Sequence, residues 1–153
     1  MTGPALAIAM CVAEVLGMLG FSTFPALIPA FEQEWGLTRT DSGWISGIYF
    51  AGYVAIVPVL TSLTDRIDPR RVILVSLVIG MASALGFALW AQGFWSALIF
   101  RCLQGVGLAG TYMPGLKVLS DATEGSPHQS RYIAFYTSSF GIGAGLSYVA
   151  AGE

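Results

Sequence analysis

Thr61-Ser62-Leu63-Thr64-Asp65-Arg66-Ile67-Asp68-Pro69-Arg70-Arg71 is a short polar connection between two long apolar stretches, and it holds three of the chain's seven Lys and Arg residues. Positive residues beside a membrane helix resist translocation, so a basic loop this short reads as cytoplasmic. Every other segment takes its side from that loop. Composition sets the class: 55% of the residues are hydrophobic, 10% are charged and the mean hydropathy is +0.70, whereas a soluble domain is about 25% charged. The chain reads as an integral membrane protein.

A hydrocarbon core of about 30 Å takes about 20 helical residues to cross. Five stretches reach that length, at residues 5–31, 43–62, 72–91, 94–119 and 132–151. They are nearly continuous in their apolar residues instead of alternating, which predicts helices and not the strands of a membrane barrel. The expected fold is therefore all-α, a polytopic transmembrane helix bundle. The first stretch has no positive leader, is too long for a signal-peptide core and carries Glu14, so it reads as a span.

With residues 63–71 inside, Lys117 and Arg131 join Arg66, Arg70 and Arg71 on that side, while Arg39 lies outside. Trp35, Trp44, Trp90 and Trp95 all fall at the outer interface, where an indole meets acyl chains with its ring and water with its N–H. This puts the N-terminus in the cytoplasm and residue 153 outside, in a cytoplasmic (inner) cell membrane. Gly152-Glu153 follows the fifth span directly, so residues 1–153 read as an incomplete N-terminal bundle, a piece of a longer chain. The net charge of −2 is small and scattered and gives no reason to expect a nucleic-acid partner. Cys11 and Cys102 have no metal or redox spacing and read as buried packing residues; no cofactor or metal is expected. His128 reads as a solvated loop residue. No nucleophile, base and orienting group cluster, so the chain does not read as an enzyme.

Glu14 and Arg101 lie deepest in the apolar stretches, where a charge costs roughly 2.5–3.5 kcal/mol to insert. Counting along the helices places them about 6 Å apart in depth. Two readings fit: an ion pair that locks the bundle, or a proton-coupling acid and a substrate or counter-ion site at a central cavity. Gln104 stands one turn from Arg101, and Ser46, Tyr49 and Tyr53 form a half-polar stripe on span two that serves either interhelical hydrogen bonding or a cavity wall.

Gly105-Val106-Gly107-Leu108-Ala109-Gly110 spells G-x-G-x-x-G without the strand, helix start or acidic ribose ligand of a dinucleotide site. In a membrane helix such residues let backbones approach, as do Gly43/Gly47 and Gly141/Gly145. Pro25 and Pro29 late in span one, and Pro114 late in span four, each follow a glycine pair. That parallel hints at an internal repeat in which span four begins a second copy of span one.

The chain resembles the N-terminal part of a major facilitator superfamily transporter. The superfamily loop between helices two and three has the form G-x-L-A-D-R-x-G-R-R, met here at Leu63, Asp65, Arg66 and Arg70; Thr61 and Asp68 replace its glycines and Pro69 an arginine. A second signature, R-x-x-Q-G-x-G, is met by Arg101, Gln104, Gly105 and Gly107. The resemblance covers essentially the whole chain and implies the first five of about twelve helices, most of one of two six-helix bundles around a central cavity. It implies a secondary carrier with alternating access and proton coupling, whose partners are the bilayer, the missing C-terminal half, a small-molecule substrate and protons. Asp65 would be a gating residue with Arg66, Arg70 and Arg71 beside it, and Arg101, Gln104, Tyr49, Tyr53 and Glu14 the candidates for substrate binding and proton coupling. Span five lacks the Gly-Pro pairing of drug–proton antiporters and span two the arginine of nitrate carriers. The competing expectation is a small non-transporting membrane protein that serves as an assembly or interaction module.

Overall fold

A computed structural model describes residues 3–152; Met1, Thr2 and Glu153, whose sides of the membrane the sequence reading assigned, lie outside the described residues. The order is α1 (Gly3–Gly17), α2 (Thr23–Ala26), α3 (Ile28–Trp35), α4 (Arg39–Thr64), α5 (Pro69–Trp90), α6 (Phe94–Ala122) and α7 (Gln129–Gly152), with no strand among the described residues. The fold is all-α.

Four of the apolar stretches form one helix each, and the first does not. The expected continuous span at 5–31 divides into α1, α2 and α3, with its main break between Gly17 and Thr23. Gly17 and Gly20 weaken helix propagation there, and Pro25 and Pro29 downstream lack the N–H donors that would continue it. Pro29 falls in the first turn of α3, where its missing donor costs nothing. Gly36, at φ 63°, ends α3 in the left-handed conformation.

The next helices start on defined caps. The Thr38 hydroxyl accepts from the Asp41 amide at 3.2 Å, and the Asp41 carboxylate accepts from the Thr38 amide at 2.9 Å. Donation by the Thr38 hydroxyl, and then by its amide, holds the Asp41 carboxyl below the usual carboxylate range. At the basic loop, Asp68 Oδ1 accepts from the Arg70 amide at 2.9 Å and Pro69 opens α5. Two departures from the superfamily loop, Asp68 and Pro69, are thus a helix cap and a first-turn proline. Thr61, at the position of the first signature glycine, lies inside α4 and donates to the Val57 carbonyl at 2.9 Å, so no turn glycine is needed there.

The burial pattern is inverted relative to a water-soluble bundle. Glu14, Arg101, Gln104, Ser83 and Ser147 are buried, while Leu74, Val78, Met81, Leu85 and Leu89 of α5 all point outward, each more than half exposed. α6 is the axle, flanked by α4 on one side and α5 on the other, and α1 packs on both α6 and α7. Its glycines permit this. A Cβ on Gly105 would strike the Tyr49 backbone, one on Gly107 would stand 2.7 Å from Gly80 Cα, and one on Gly110 would strike Ser76. Across the same α4 seam, a Cβ on Gly52 would stand 2.5 Å from the Cys102 carbonyl oxygen.

Other packing expectations change. Gly43, Gly47, Gly141 and Gly145 have nothing within 4 Å, because they lie on helix faces that no described helix covers; on α7 it is Gly143 that meets Val15 and Met18. Cys11 and Cys102 are partly exposed, not buried. Trp35 stacks on Phe31 at 4.4 Å inside the outer apolar cluster, whereas Trp44, Trp90 and Trp95 stay exposed.

Span one and span five run parallel, with Gly3 near Tyr132, Val15 near Gly143 and Leu19 bonded to Ser147. Spans two and four also run parallel, with Tyr49 near Gly105 and Asp65 near Lys117. Span one therefore pairs with span five as span four pairs with span two, the pairing a repeat beginning at span four requires.

Leucine at Gly107 should lower the thermal stability of the protein in detergent by about 1–3 kcal/mol through overpacking. Leucine at Gly47 should change it by less than about 0.5 kcal/mol. Equal effects at the two positions would contradict this packing.

Candidate functional site

The broken first span creates the site. A turn at residues 18–22 leaves carbonyls without helical donors, and inside a membrane those groups must be satisfied by protein. Arg101 of α6 reaches them: its Nη1 donates to the Phe21 carbonyl at 3.1 Å, lies 3.4 Å from the Gly20 carbonyl and donates to Gln104 Oε1 at 2.9 Å. The guanidinium carbon sits 4.6 Å from the centre of the Tyr49 ring, a cation–π contact that gains strength in a desolvated site. Arg101 is 2% exposed, and its Nε has no hydrogen-bond partner.

From the opposite side α7 closes the break. Ser147 Oγ donates to the Leu19 carbonyl at 2.7 Å and accepts from the Ser22 amide at 2.8 Å, while Ser22 Oγ donates to the Ala144 carbonyl at 3.2 Å. The irregular backbone is held by an arginine and a serine from two different helices.

Glu14 lies one turn before the break. It is 2% exposed and makes no ion pair with Arg101, which corrects the pairing that the depth count allowed. The count assumed an unbroken span one; with the span broken, Arg101 is drawn to the freed carbonyls instead. Glu14 Oε2 stands 3.4 Å from the Tyr136 hydroxyl, which is closer, at 3.1 Å, to the Tyr112 carbonyl, and Oε1 has no partner. The carboxyl is therefore buried and thinly bonded.

Of the other expected site residues, Gln104 fixes Arg101, and Tyr49 is buried with its ring over the guanidinium. Tyr53 is partly exposed and lines a cavity of about 300 Å³ between α4, α6 and α7. A larger, apolar cavity of about 550 Å³ lies between α1, α5 and α6, on another side of the Tyr49 and Leu108 positions. Ser46, the third member of the stripe, has a buried hydroxyl without a partner.

At the loop between α4 and α5, Asp65 pairs with Lys117 of α6, and among the described residues neither Arg66 nor Arg70 forms an ion pair with it. The parallel register of α4 and α6 carries Lys117 to the end of α4, whereas Arg70 and Arg71 lie exposed in the first turn of α5. Lys117, Tyr136, Ser22 and Ser147 are the residues that sequence reasoning missed. The register of spans two and four would have found Lys117; the serines carry no signal until the helix break is known.

A buried arginine on a helix break, a buried carboxyl beside it and a cavity between parallel helices define a polytopic membrane protein of the discontinuous-helix kind. The Major Facilitator Superfamily pattern matches residues 10–153, and the chain belongs to that family. Several of its relatives are named as transporters. Over 134 residues the chain is 29% identical to the "Probable 4-methylmuconolactone transporter" of Cupriavidus pinatubonensis, covering 84% of this chain and 29% of that protein. It is 24% identical over 142 residues to human "Protein spinster homolog 1", covering 92% of this chain and 27% of that protein. A shorter match, 28% over 78 residues, covering 51% of this chain and 16% of the other, is to the "Probable sphingolipid transporter spinster homolog 1" of Arabidopsis thaliana. The chain spans less than a third of the length of these relatives.

Because Glu14 and Arg101 share no bond, Glu14→Gln and Arg101→Gln should act additively on stability, within about 0.5 kcal/mol in a double-mutant cycle. Arg101→Gln alone should cost about 2–4 kcal/mol by leaving carbonyls unsatisfied. A double mutant markedly more stable than the sum of the singles would restore the ion pair.

Proposed function

We propose that this chain supplies the first five spans of the N-terminal bundle of a secondary carrier, which moves a small solute by alternating access and couples that movement to protons. The observation that carries the reading is the pair of buried charges held apart at the broken span, Arg101 locked onto backbone carbonyls and Glu14 left with a bare oxygen. A fixed positive charge organises the site, and a buried carboxyl with few donors is the group best placed to take up and release a proton. Discontinuous helices near the bilayer midplane are the usual site of substrate and ion binding in such carriers.

Asp65 and Lys117 then act as a latch on the cytoplasmic side, joining the ends of spans two and four near the interface with the second bundle. Arg66, Arg70 and Arg71 lie exposed around the latch and hold that side in the cytoplasm. The partners are the lipid bilayer, the C-terminal half of the carrier, the solute and protons, in a cytoplasmic membrane. The relatives' names span a small lactone and a sphingolipid, so family membership by itself leaves the solute open.

The test uses the full-length carrier in proteoliposomes. Glu14→Gln should retain solute exchange and lose at least about tenfold in accumulation driven by a proton gradient. Unchanged accumulation would remove the coupling role. Asp65→Lys and Lys117→Asp should each slow transport several-fold, and the double exchange should restore it; failure of the double exchange to restore would remove the latch.

A further inference from the structure

The cavity between α4, α6 and α7 has a wall that is almost entirely aromatic. Tyr49, Phe50, Tyr53, Tyr112 and Phe140 line it, with Leu108 between them and the Thr137 hydroxyl as a further polar group. All of these rings except Tyr53 are connected, through Phe21 behind the wall, in one arc. Phe50 meets Tyr49 at 5.6 Å, Tyr49 meets Phe21 at 5.1 Å, Phe21 meets Phe140 at 6.1 Å and Phe140 meets Tyr112 at 5.6 Å, all edge to face. Tyr112 is braced from behind by Tyr136, stacked at 5.5 Å and 13°. Each edge-to-face contact covers one face of one ring, Arg101 covers part of Tyr49 and Tyr136 covers one face of Tyr112; the ring surface left toward the cavity is most favourably covered by another planar ring, offset or edge-on.

What the wall omits narrows the guest further. Among the described residues, no charged one lines the cavity. The nearest cation, Arg101, lies against the Tyr49 ring with its Nη1 already committed to Phe21, Gly20 and Gln104. A polyol or a free amino acid presents many hydrogen-bonding groups, and against this wall it would find only tyrosine and threonine hydroxyls, leaving the remainder desolvated and unpaired. A single planar ring with one or two oxygens needs no more than those hydroxyls supply. The volume of about 300 Å³ sits at the small end of small-molecule sites and is enough for one ring.

We infer that this half of the carrier recognises its solute through a planar, aromatic single ring seated on the Tyr49–Phe50–Tyr53–Tyr112–Phe140 wall. Any charge on the solute is met elsewhere in the carrier. The inference rests on the carrier reading above and names the solute class for the same site.

The experiment compares planar rings with their saturated twins on the purified full-length carrier in detergent, by calorimetric titration. The probes are benzoate against cyclohexanecarboxylate, and 2-furoate against tetrahydro-2-furoate, which match in charge and closely in size. The unsaturated member of each pair should bind about three- to tenfold more tightly. Phe140→Leu and Phe50→Leu, which keep apolar bulk, should each reduce that preference to less than twofold, with unfolding temperatures confirming intact protein. Equal affinity within pairs, no binding of either pair, or a preference that survives both leucine variants would overturn the inference. Counterflow in proteoliposomes with the same four probes, glucose and glutamate separates the two readings. Exchange of glucose or glutamate without a ring preference would remove the solute class and leave the carrier standing. A ring preference in binding with no exchange of any solute would support the ring site and contradict transport.

Discussion

The carbonyls of Gly20 and Phe21 impose the constraint on which the rest of the bundle depends. Where a membrane helix breaks, its backbone groups have no water to turn to, and each one left unpaired costs several kcal/mol. Arg101 answers that demand with a charged donor, and Ser147 answers it from the opposite helix for Leu19 and Ser22. The exchange is mutual: a guanidinium buried at 2% exposure is itself costly, and carbonyl dipoles, Gln104 and the Tyr49 ring are what make it tolerable. Removing either side leaves the other stranded. The break therefore binds α6 and α7 to span one through polar contacts, where an apolar bundle in lipid has little hydrophobic force to hold its helices together.

The close packing of α6 serves that arrangement. Gly105 and Gly107 bring α4 and α5 to backbone contact on two sides of α6, which fixes where Arg101 and Gln104 stand relative to Tyr49. The parallel register set by Gly52 and Gly105 also brings Lys117 to Asp65 at the loop end of α4. One seam thus joins the broken-span contacts to the loop, so that a shift of α4 along α6 would disturb both the Tyr49 cover over Arg101 and the ion pair. Packed cores and interfaces tend to move between discrete arrangements rather than deform continuously, and this seam gives the proposed carrier a physical link between site and latch.

Much of this was legible in the sequence because lipid narrows the choices. Apolar length predicted the helices, and two motifs pointed to the family to which the chain belongs. Arg101 and Gln104 were recognisable because charge and amide in an apolar stretch have few bland explanations. The break in span one was half-legible: Gly17, Gly20, Pro25 and Pro29 all pointed to a weak helix, yet apolar continuity masked the turn at residues 18–22. From that one miss followed the ion-pair reading of Glu14 and Arg101, one of the two the depth count left open, since an unbroken helix would have offered Arg101 no carbonyls. Gly43, Gly47, Gly141 and Gly145 show the limit of small-residue spacing, which marks where a close approach is possible and not which partner makes it. The aromatic wall was invisible for a different reason: its rings come from three helices, and only packing brings them together.

Hydrogen exchange at the break tests the central claim most directly. In lipid nanodiscs, Arg101→Met, which keeps length and apolar bulk but removes the donors, should accelerate amide exchange across residues 18–27 by at least about tenfold. Exchange within α5, whose seam with α6 does not involve Arg101, should be unchanged. Exchange at residues 18–27 that stays at the level of the unmodified protein, or that rises equally throughout the bundle, would contradict the account that Arg101 holds the broken helix.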